Sequence, residues 1–272
     1  MDCISLGGVV ANQRIGIVGH GHIGQAVSWT HRHASLFIND PVRNDSCPLT
    51  DFKDLDAIYI CVPSPAQEDG SCDTSVLEKV LKDLYFTNLT ASTVIISHTT
   101  APPSVYKELI KLYPNLVHVP EFVTERNATK DYRSMRWGIF GGNLAWAERA
   151  RDISRSSRNL MYDHCFLVDI ETAALYKYFS NSVLAAKVTM ATEWRQLADK
   201  FGVDWQRIVY IAGHDNRIGH SHLVTPGADG KPGWGGSCFP KDISAIIAEA
   251  ENQSVDFKLL KHIQTLNNEH RK

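Results

Sequence analysis

A regular alternation of short apolar runs with helical stretches constrains this chain more than any other feature. Residues 14–18 form a β-branched run that leads directly into Gly19-His20-Gly21-His22-Ile23-Gly24, and a helical pattern follows to about residue 33. Further apolar runs lie at 35–39, 56–62, 93–97 and 116–119, with helical patterns at 74–84 and 104–113 between them. Strands and helices in alternation are the signature of a parallel, doubly wound sheet. A strand and turn at 137–142, a helix at 143–158 and a strand near 166–168 complete an N-terminal domain expected over residues 1–168. The fold class expected is α/β, a Rossmann-like parallel-sheet domain followed by an all-helical domain.

That helical domain, expected over residues 169–272, is built on one long pattern at 170–201 that holds neither proline nor glycine. Its apolar residues recur in steps of three and four, among them Ala173, Ala174, Val183, Leu184, Met190, Ala191, Trp194, Leu197 and Ala198. Gly202 is placed to stop it in the left-handed conformation. Further helices are expected at 204–212, at 242–250 and from 256 to the end. A helix this long with apolar residues on more than one face predicts a homodimer in which each copy covers the other.

The glycine turn after the first strand has the G-x-G-x-x-G spacing of a dinucleotide site. The glycines Gly19, Gly21 and Gly24 would make the tight turn and admit a pyrophosphate to the helix N-terminus, with His22 and Ile23 opening the helix. The second strand ends at Asp40, where an acid that binds the ribose diol belongs. Such an acid repels a 2′-phosphate, so the cofactor expected is NAD rather than NADP. The alternative for Asp40 is a turn residue ahead of Pro41. Ligands of doubly wound sheets bind beyond the carboxyl ends of the strands, which makes the loops after Val62, Ser97 and Val119 candidate site loops.

A second constellation lies at Gly233-Trp234-Gly235-Gly236-Ser237-Cys238-Phe239-Pro240-Lys241-Asp242. Pro240 suits the first turn of a helix, so Cys238 sits just ahead of a helix N-terminus and near Lys241. Both features favour a thiolate, the form that attacks carbonyl carbon. The alternative is a structural cysteine in a tight turn. The other five cysteines (Cys3, Cys47, Cys61, Cys72, Cys165) show no CxxC pair and read as free thiols of a reducing compartment, consistent with a cytoplasmic protein. The paired histidines His20/His22, His31/His33 and His220/His222 lack cysteine or carboxylate partners at ligand spacing, so no metal is expected. The net charge of −2 gives no footprint for nucleic acid or an anionic membrane surface. No apolar run approaches the ~20 residues that span a bilayer. Residues 1–10 carry Asp2 and no basic side chain, unlike a signal peptide.

The cysteine string resembles the GGSCFPKD active-site signature of the UDP-glucose/GDP-mannose dehydrogenase family. Several other segments are similar to that family. Cys61-Val62-Pro63-Ser64-Pro65 resembles its CVPTP segment, with Ser64 in place of threonine. Thr99-Thr100-Ala101-Pro102-Pro103 resembles STVPP, and Pro120-Glu121-Phe122-Val123-Thr124-Glu125 resembles PEFLxE. Leu175-Tyr176-Lys177-Tyr178-Phe179-Ser180-Asn181 resembles its E-L-x-K-x-x-x-N segment, with Ala174 where the acid stands, and Asp215-Asn216-Arg217-Ile218-Gly219 resembles D-x-R-I-G.

The resemblance implies NAD-dependent oxidation of a nucleotide sugar at C6 to the uronic acid, UDP-glucose being the first candidate. Cys238 would be the nucleophile, with Lys177 and Asn181 stabilising the oxyanion and Asp242 orienting or taking a proton. Thr100, Glu121 and Glu125 would order water. Val62, Pro63 and Thr100 would line the cofactor. Glu121, Phe122, Val123, Lys177, Asn181, Gly235 and Lys241 would face the sugar, and Arg217 would reach the substrate of a neighbouring subunit. The family is longer than this chain. It usually has an extra helix and strands between positions 40 and 56, and a third domain that holds the substrate's nucleotide, a role open here to a partner chain. The alternatives are another nucleotide sugar (UDP-N-acetylmannosamine, UDP-N-acetylglucosamine or GDP-mannose), a β-hydroxyacid dehydrogenase, which needs no cysteine, or a non-catalytic NAD- or nucleotide-sugar-binding subunit.

Overall fold

A computed structural model describes residues 13–87, 89–157, 162–227 and 229–272. The reading of residues 1–10 and the thiol of Cys3 lie outside the described residues. The chain divides into two compact units, one holding residues up to 64 with 74–175, the other 65–73 with 176–272.

The first unit carries the sheet. Its strands are β1 (Arg14–Val18), β2 (Ser35–Asn39), β3 (Ala57–Ile60), β4 (Val94–Ser97), β5 (Leu116–His118), β6 (Trp137–Gly142) and β7 (His164–Val168), in the order β2-β1-β3-β4-β5-β6-β7. β1 to β5 are parallel. Each returns through α1 (His22–Thr30), α2 (Ser75–Tyr85) or α3 (Pro103–Leu112), apart from the β2–β3 connection, which holds only a short 3-10 turn at Leu49–Asp51. Alternate residues of the central strands feed two cores. Ile15, Ile17, Ala57, Tyr59 and Ile96 pack with Val27, Tyr132 and Ala147 on one face. Val18, Ile58, Ile60 and Ile95 pack with Leu77, Leu81, Leu84 and Tyr106 on the other. Strands buried on both faces read as continuous apolar runs, which is why they stood out in the sequence.

The expected parallel sheet is present, with one antiparallel pair at one end. β6 runs antiparallel to β5, and β7 is parallel to β6. The β5–β6 connection contains α4 (Ala128–Ser134), a helix the sequence reading omitted because only Ala128 and Tyr132 of its seven residues are buried. Smaller corrections follow from proline and turn geometry. β3 ends at Ile60, so Cys61 and Val62 have left the sheet before Pro63. The helix after the cysteine turn begins at Phe239 rather than at residue 242, with Pro240 in its first turn. α5 (Leu144–Ser156) precedes β7.

The second unit is helical. It takes most of α6 (Ile170–Lys200), then α7 (Trp205–Ala212), α8 (Phe239–Asn252) and α9 (Lys258–His270). Gly202 adopts φ +65° just past α6, the left-handed stop read from the sequence. A small excursion, residues 65–73, also belongs here; it is closed by a bridge between Ala66 and Cys72. Cys72 joins Tyr178, Trp234, Ile243, Ile246 and Leu260 in this unit's main core. A smaller core gathers Ala191, Ala198, Trp205, Val209 and Leu223. Among the described residues no helix is long and apolar enough to cross a membrane.

Candidate active site

In the sheet unit the candidate residues gather at the carboxyl ends of β1 to β5. Gly19 has φ +86°, and a Cβ there would lie 2.7 Å from the Cys61 carbonyl oxygen. A Cβ on Gly24 would fall 2.1 Å from the Gly19 carbonyl oxygen, so only glycine lets α1 start this close to β1. Gly21 is the N-cap of α1 with no side-chain cap, and a Cβ there would meet nothing within 4 Å. The start of α1 is therefore unobstructed at Gly21, and a helix N-terminus approached by bare backbone is a cradle that fits the pyrophosphate of a dinucleotide.

Asp40 follows β2 and is buried. Its Oδ2 accepts from the His20 backbone N–H at 2.5 Å and its Oδ1 from the Val42 N–H at 2.9 Å. These two backbone bonds hold its carboxyl below the usual range. The acid thus fixes the glycine turn, and each oxygen keeps a further lone pair for a ribose hydroxyl. Val62 and Pro63 leave β3 beside the threonine loop. Thr99 donates Oγ1–H to the Val62 carbonyl at 2.9 Å, and Ser64 donates Oγ–H to the Thr100 carbonyl at 2.6 Å. Ser64 and Thr99 are positioning side chains that the motif reading passed over.

Glu121 folds back on its own loop, its Oε2 accepting from the Val123 N–H at 3.1 Å. Phe122 packs its ring 4.7 Å from that of Trp137, and Val123 packs on the core. Glu125 opens a 3-10 turn, Glu125–Asn127. His98, at the end of β4, joins the two loops: Nδ1–H donates to the Val119 carbonyl at 2.6 Å and Nε2 accepts from Tyr132 O–H at 3.1 Å. A carbonyl can only accept, which fixes the neutral ring's proton on Nδ1. Cys61 is half-buried, and desolvation with the nearby Glu121 pushes its thiol well up, away from a reactive form.

In the helical unit a second set comes together. Lys177 and Asn181, both buried, share one face of α6. Asn181 donates Nδ2–H to Asp242 Oδ2 at 2.6 Å, across 61 residues of sequence. Lys241 Nζ contacts the other oxygen, Oδ1, at 2.5 Å. Asp242 is 1% exposed, and these bonds occupy both of its oxygens, as a buried carboxylate requires. One turn earlier in the chain Cys238 is the N-cap residue of α8. It is exposed, and its carbonyl accepts the helix's first bond from the Asp242 N–H at 2.9 Å. The exposed thiol therefore stands at the positive end of a 14-residue helix. Gly235 lies against Arg271, where a Cβ would fall 2.6 Å from Nη2. Arg217 stands apart: its side chain is 89% exposed and paired with Asp215. That pairing holds the Asp215 carboxyl below its usual range and raises the guanidinium.

The family models match in two segments. The "UDP-glucose/GDP-mannose dehydrogenase family, NAD binding domain" matches residues 45–154, and the same family's "central domain" matches residues 171–269. A UDP-glucose 6-dehydrogenase of Rickettsia bellii is 31% identical over 228 residues, 80% of this chain and 50% of that protein. A putative UDP-glucose 6-dehydrogenase of Bacillus subtilis is 31% identical over 236 residues, 82% of this chain and 51% of that protein. The chain thus spans about half the length of the curated relatives it matches. A UDP-glucose dehydrogenase structure from Pyrobaculum islandicum superposes with a TM-score of 0.78 at 22% identity, covering 96% of this chain and 70% of that one. A 3-hydroxyisobutyrate dehydrogenase of Mycobacterium tuberculosis superposes with a TM-score of 0.72 at 16% identity and covers 96% of both chains, a likeness of fold. With its sheet unit matching the NAD-binding domain and its helical unit the central domain, this chain belongs to the UDP-glucose/GDP-mannose dehydrogenase family.

Proposed function

We propose that the chain carries the oxidation of UDP-glucose at C6 to UDP-glucuronate, through a covalent intermediate on Cys238. The observation that carries this reading is the exposed Cys238 thiol at the N-terminus of α8, one turn before the buried Asn181–Asp242–Lys241 chain. A dehydrogenase that stops at the aldehyde or ketone has no use for a thiol there.

Gly19, Gly21, Gly24 and Asp40 hold NAD, with Val62, Pro63 and Thr100 alongside. NAD, when bound, accepts one hydride in each of the two oxidations. At the aldehyde stage Cys238 Sγ adds to C6, a C–S bond forms, and the former carbonyl oxygen takes up a proton to give a thiohemiacetal. Loss of the second hydride from C6 and of the hydroxyl proton leaves a thioester. Water adds to that carbonyl and the C–S bond breaks, returning the thiol and releasing the acid. Lys177 and Asn181 stabilise the negative oxygen that forms at each addition. Asp242 orients Asn181 and Lys241. Glu121, Glu125 and Thr100 order that water, while Phe122, Val123, Gly235 and Lys241 contact the sugar. Arg217, exposed on the helical unit, reaches the substrate of a second copy. The reaction is assigned to the cytoplasm, a reading supported by six cysteines with no CxxC pair and no regular spacing.

The test is NADH production by the protein with UDP-glucose, UDP-N-acetylmannosamine, UDP-N-acetylglucosamine and GDP-mannose in separate assays. Two NADH per uronic acid formed from UDP-glucose supports the reading. Turnover of a different sugar reassigns the substrate. NAD binding without turnover of any of the four sinks the catalytic reading in favour of a binding subunit.

A further inference from the structure

The turn that presents Cys238 contains three glycines in four residues, Gly233, Gly235 and Gly236, and glycine has the most backbone freedom to lose. A nucleophile must nevertheless be held to within about half an ångström of its working position. The restraint comes from α9. Asn267 falls on the apolar stripe of that helix, in step with Leu260 and Ile263, yet it is polar and 2% exposed. Both ends of its amide engage one residue's backbone. Oδ1 accepts from the Trp234 N–H at 2.6 Å, and Nδ2–H donates to the Trp234 carbonyl at 3.0 Å.

Two threonines of α6 complete the hold. Trp234 donates its indole N–H to Thr189 Oγ1 at 2.9 Å, and Gly233 donates its N–H to Thr192 Oγ1 at 3.2 Å. Gly233 has φ +74°, and a Cβ there would fall 2.5 Å from Asn267 Oδ1. Arg271, one turn beyond Asn267, lies under Gly235 and is itself held by Asp229 Oδ2 at 2.7 Å. Gly233 and Trp234 are therefore pinned, while a Cβ on Gly236 would meet nothing within 4 Å. A buried amide costs desolvation that an apolar side chain on the same stripe would avoid. What it supplies in return is a fixed backbone four residues before the thiol.

We propose that Asn267, acting through Trp234 and supported by Arg271, is a positioning residue that sets Cys238 at the N-terminus of α8. The inference rests on the reading of Cys238 as the nucleophile. Asn267→Ala removes the acceptor of the Trp234 N–H and the donor to its carbonyl. Leu260→Ala, on the same helix and in the same core, is the control for lost packing alone.

Three quantities are measured on each protein: hydrogen exchange of residues 233–238, the rate of Cys238 alkylation by iodoacetamide, and the kinetics with UDP-glucose. In Asn267→Ala the turn is expected to exchange at least tenfold faster. The alkylation rate changes at least threefold, because a thiol on a released turn is no longer held in one setting at the helix N-terminus. kcat falls about tenfold while the KM for NAD, which the sheet unit binds, stays unchanged. Leu260→Ala lowers the melting temperature by a similar amount without these effects. Unchanged exchange and alkylation in Asn267→Ala, or equal changes in Leu260→Ala, overturn the proposal. If the parent protein oxidises no nucleotide sugar, the functional reading falls by itself, and exchange and alkylation still decide whether Asn267 positions the thiol.

Discussion

At the scale of single residues, the thiols of Cys238 and Cys61 differ in setting. Cys238 is exposed at a helix N-terminus, whereas Cys61 is half-buried behind the glycine turn, and the desolvation of its thiol pushes its pKa up. Cys238→Ser keeps the size and removes the nucleophile. Acid production is expected to fall by at least about a thousandfold while NAD binding is retained. Cys61→Ala is expected to lower stability by about 1–2 kcal/mol and to leave the chemistry intact. Uronic acid measured by product analysis checks both, and a Cys238→Ser protein that makes acid at the parent rate removes the thioester from the mechanism. Asp40 leads to a separate expectation. Its backbone-anchored carboxylate stays ionised and repels a 2′-phosphate, so NAD should bind at least about tenfold more tightly than NADP in a fluorescence titration. Equal affinities would mean that Asp40 only shapes the turn.

At the scale of elements, α6 presents a stripe that its own unit leaves uncovered. Phe179, Val183, Met190, Trp194 and Leu197 are all exposed and follow one another at helical spacing, with Trp194 56% exposed. The opposite side, with Tyr178, Ala185, Ala191 and Ala198, is buried. Large apolar side chains in one row mark an association surface, and the same surface on a second copy is the simplest complement. The protein is expected to sediment as a dimer at micromolar concentration, and Trp194→Glu to sediment as a monomer with unchanged circular dichroism. A parent protein that sediments as a monomer refutes the dimer.

At the scale of the whole molecule, stability carries a pH dependence set in the sheet core. His31 and His98 are both pushed down to about 4, His31 by burial and then by repulsion from His98, and His98 by burial. His31 Nε2 meets Tyr59 O–H at 2.9 Å, and the Tyr59 ring stacks on His98 at 5.6 Å, so the network is built around neutral rings. Between the unfolded value near 6.5 and about 4 the unfolded chain binds more protons than the folded one. Stability is therefore complete above pH 6.5 and falls as the pH drops toward 4. The loss at pH 5 is about 2 kcal/mol for each histidine. Urea unfolding at pH 7.5 and pH 5 measures it, and equal midpoints would show that these rings protonate freely in the folded protein.

The sequence by itself determined the strand–helix alternation, the extent of α6 with its stop at Gly202, the glycine turn and the cysteine turn. Each of these is written in side-chain periodicity or in glycine and proline geometry over a few residues, which local physics decides. The candidate site was legible as a set of residue types through its motifs, Cys238 and Asp242 among them. The bond from Asn181 to Asp242 across 61 residues was not, because no local pattern reports which distant groups meet. Asn267 left one trace, a polar residue on an apolar stripe, but its partner at Trp234 exists only once α9 packs beside the turn. Tertiary structure also decided that β6 runs against β5. It assigned residues 65–73 to the helical unit, although the chain on either side of them belongs to the sheet. Such choices depend on which buried surfaces and hydrogen-bonding groups find partners far along the chain, and that is settled only when the whole chain has closed on its cores.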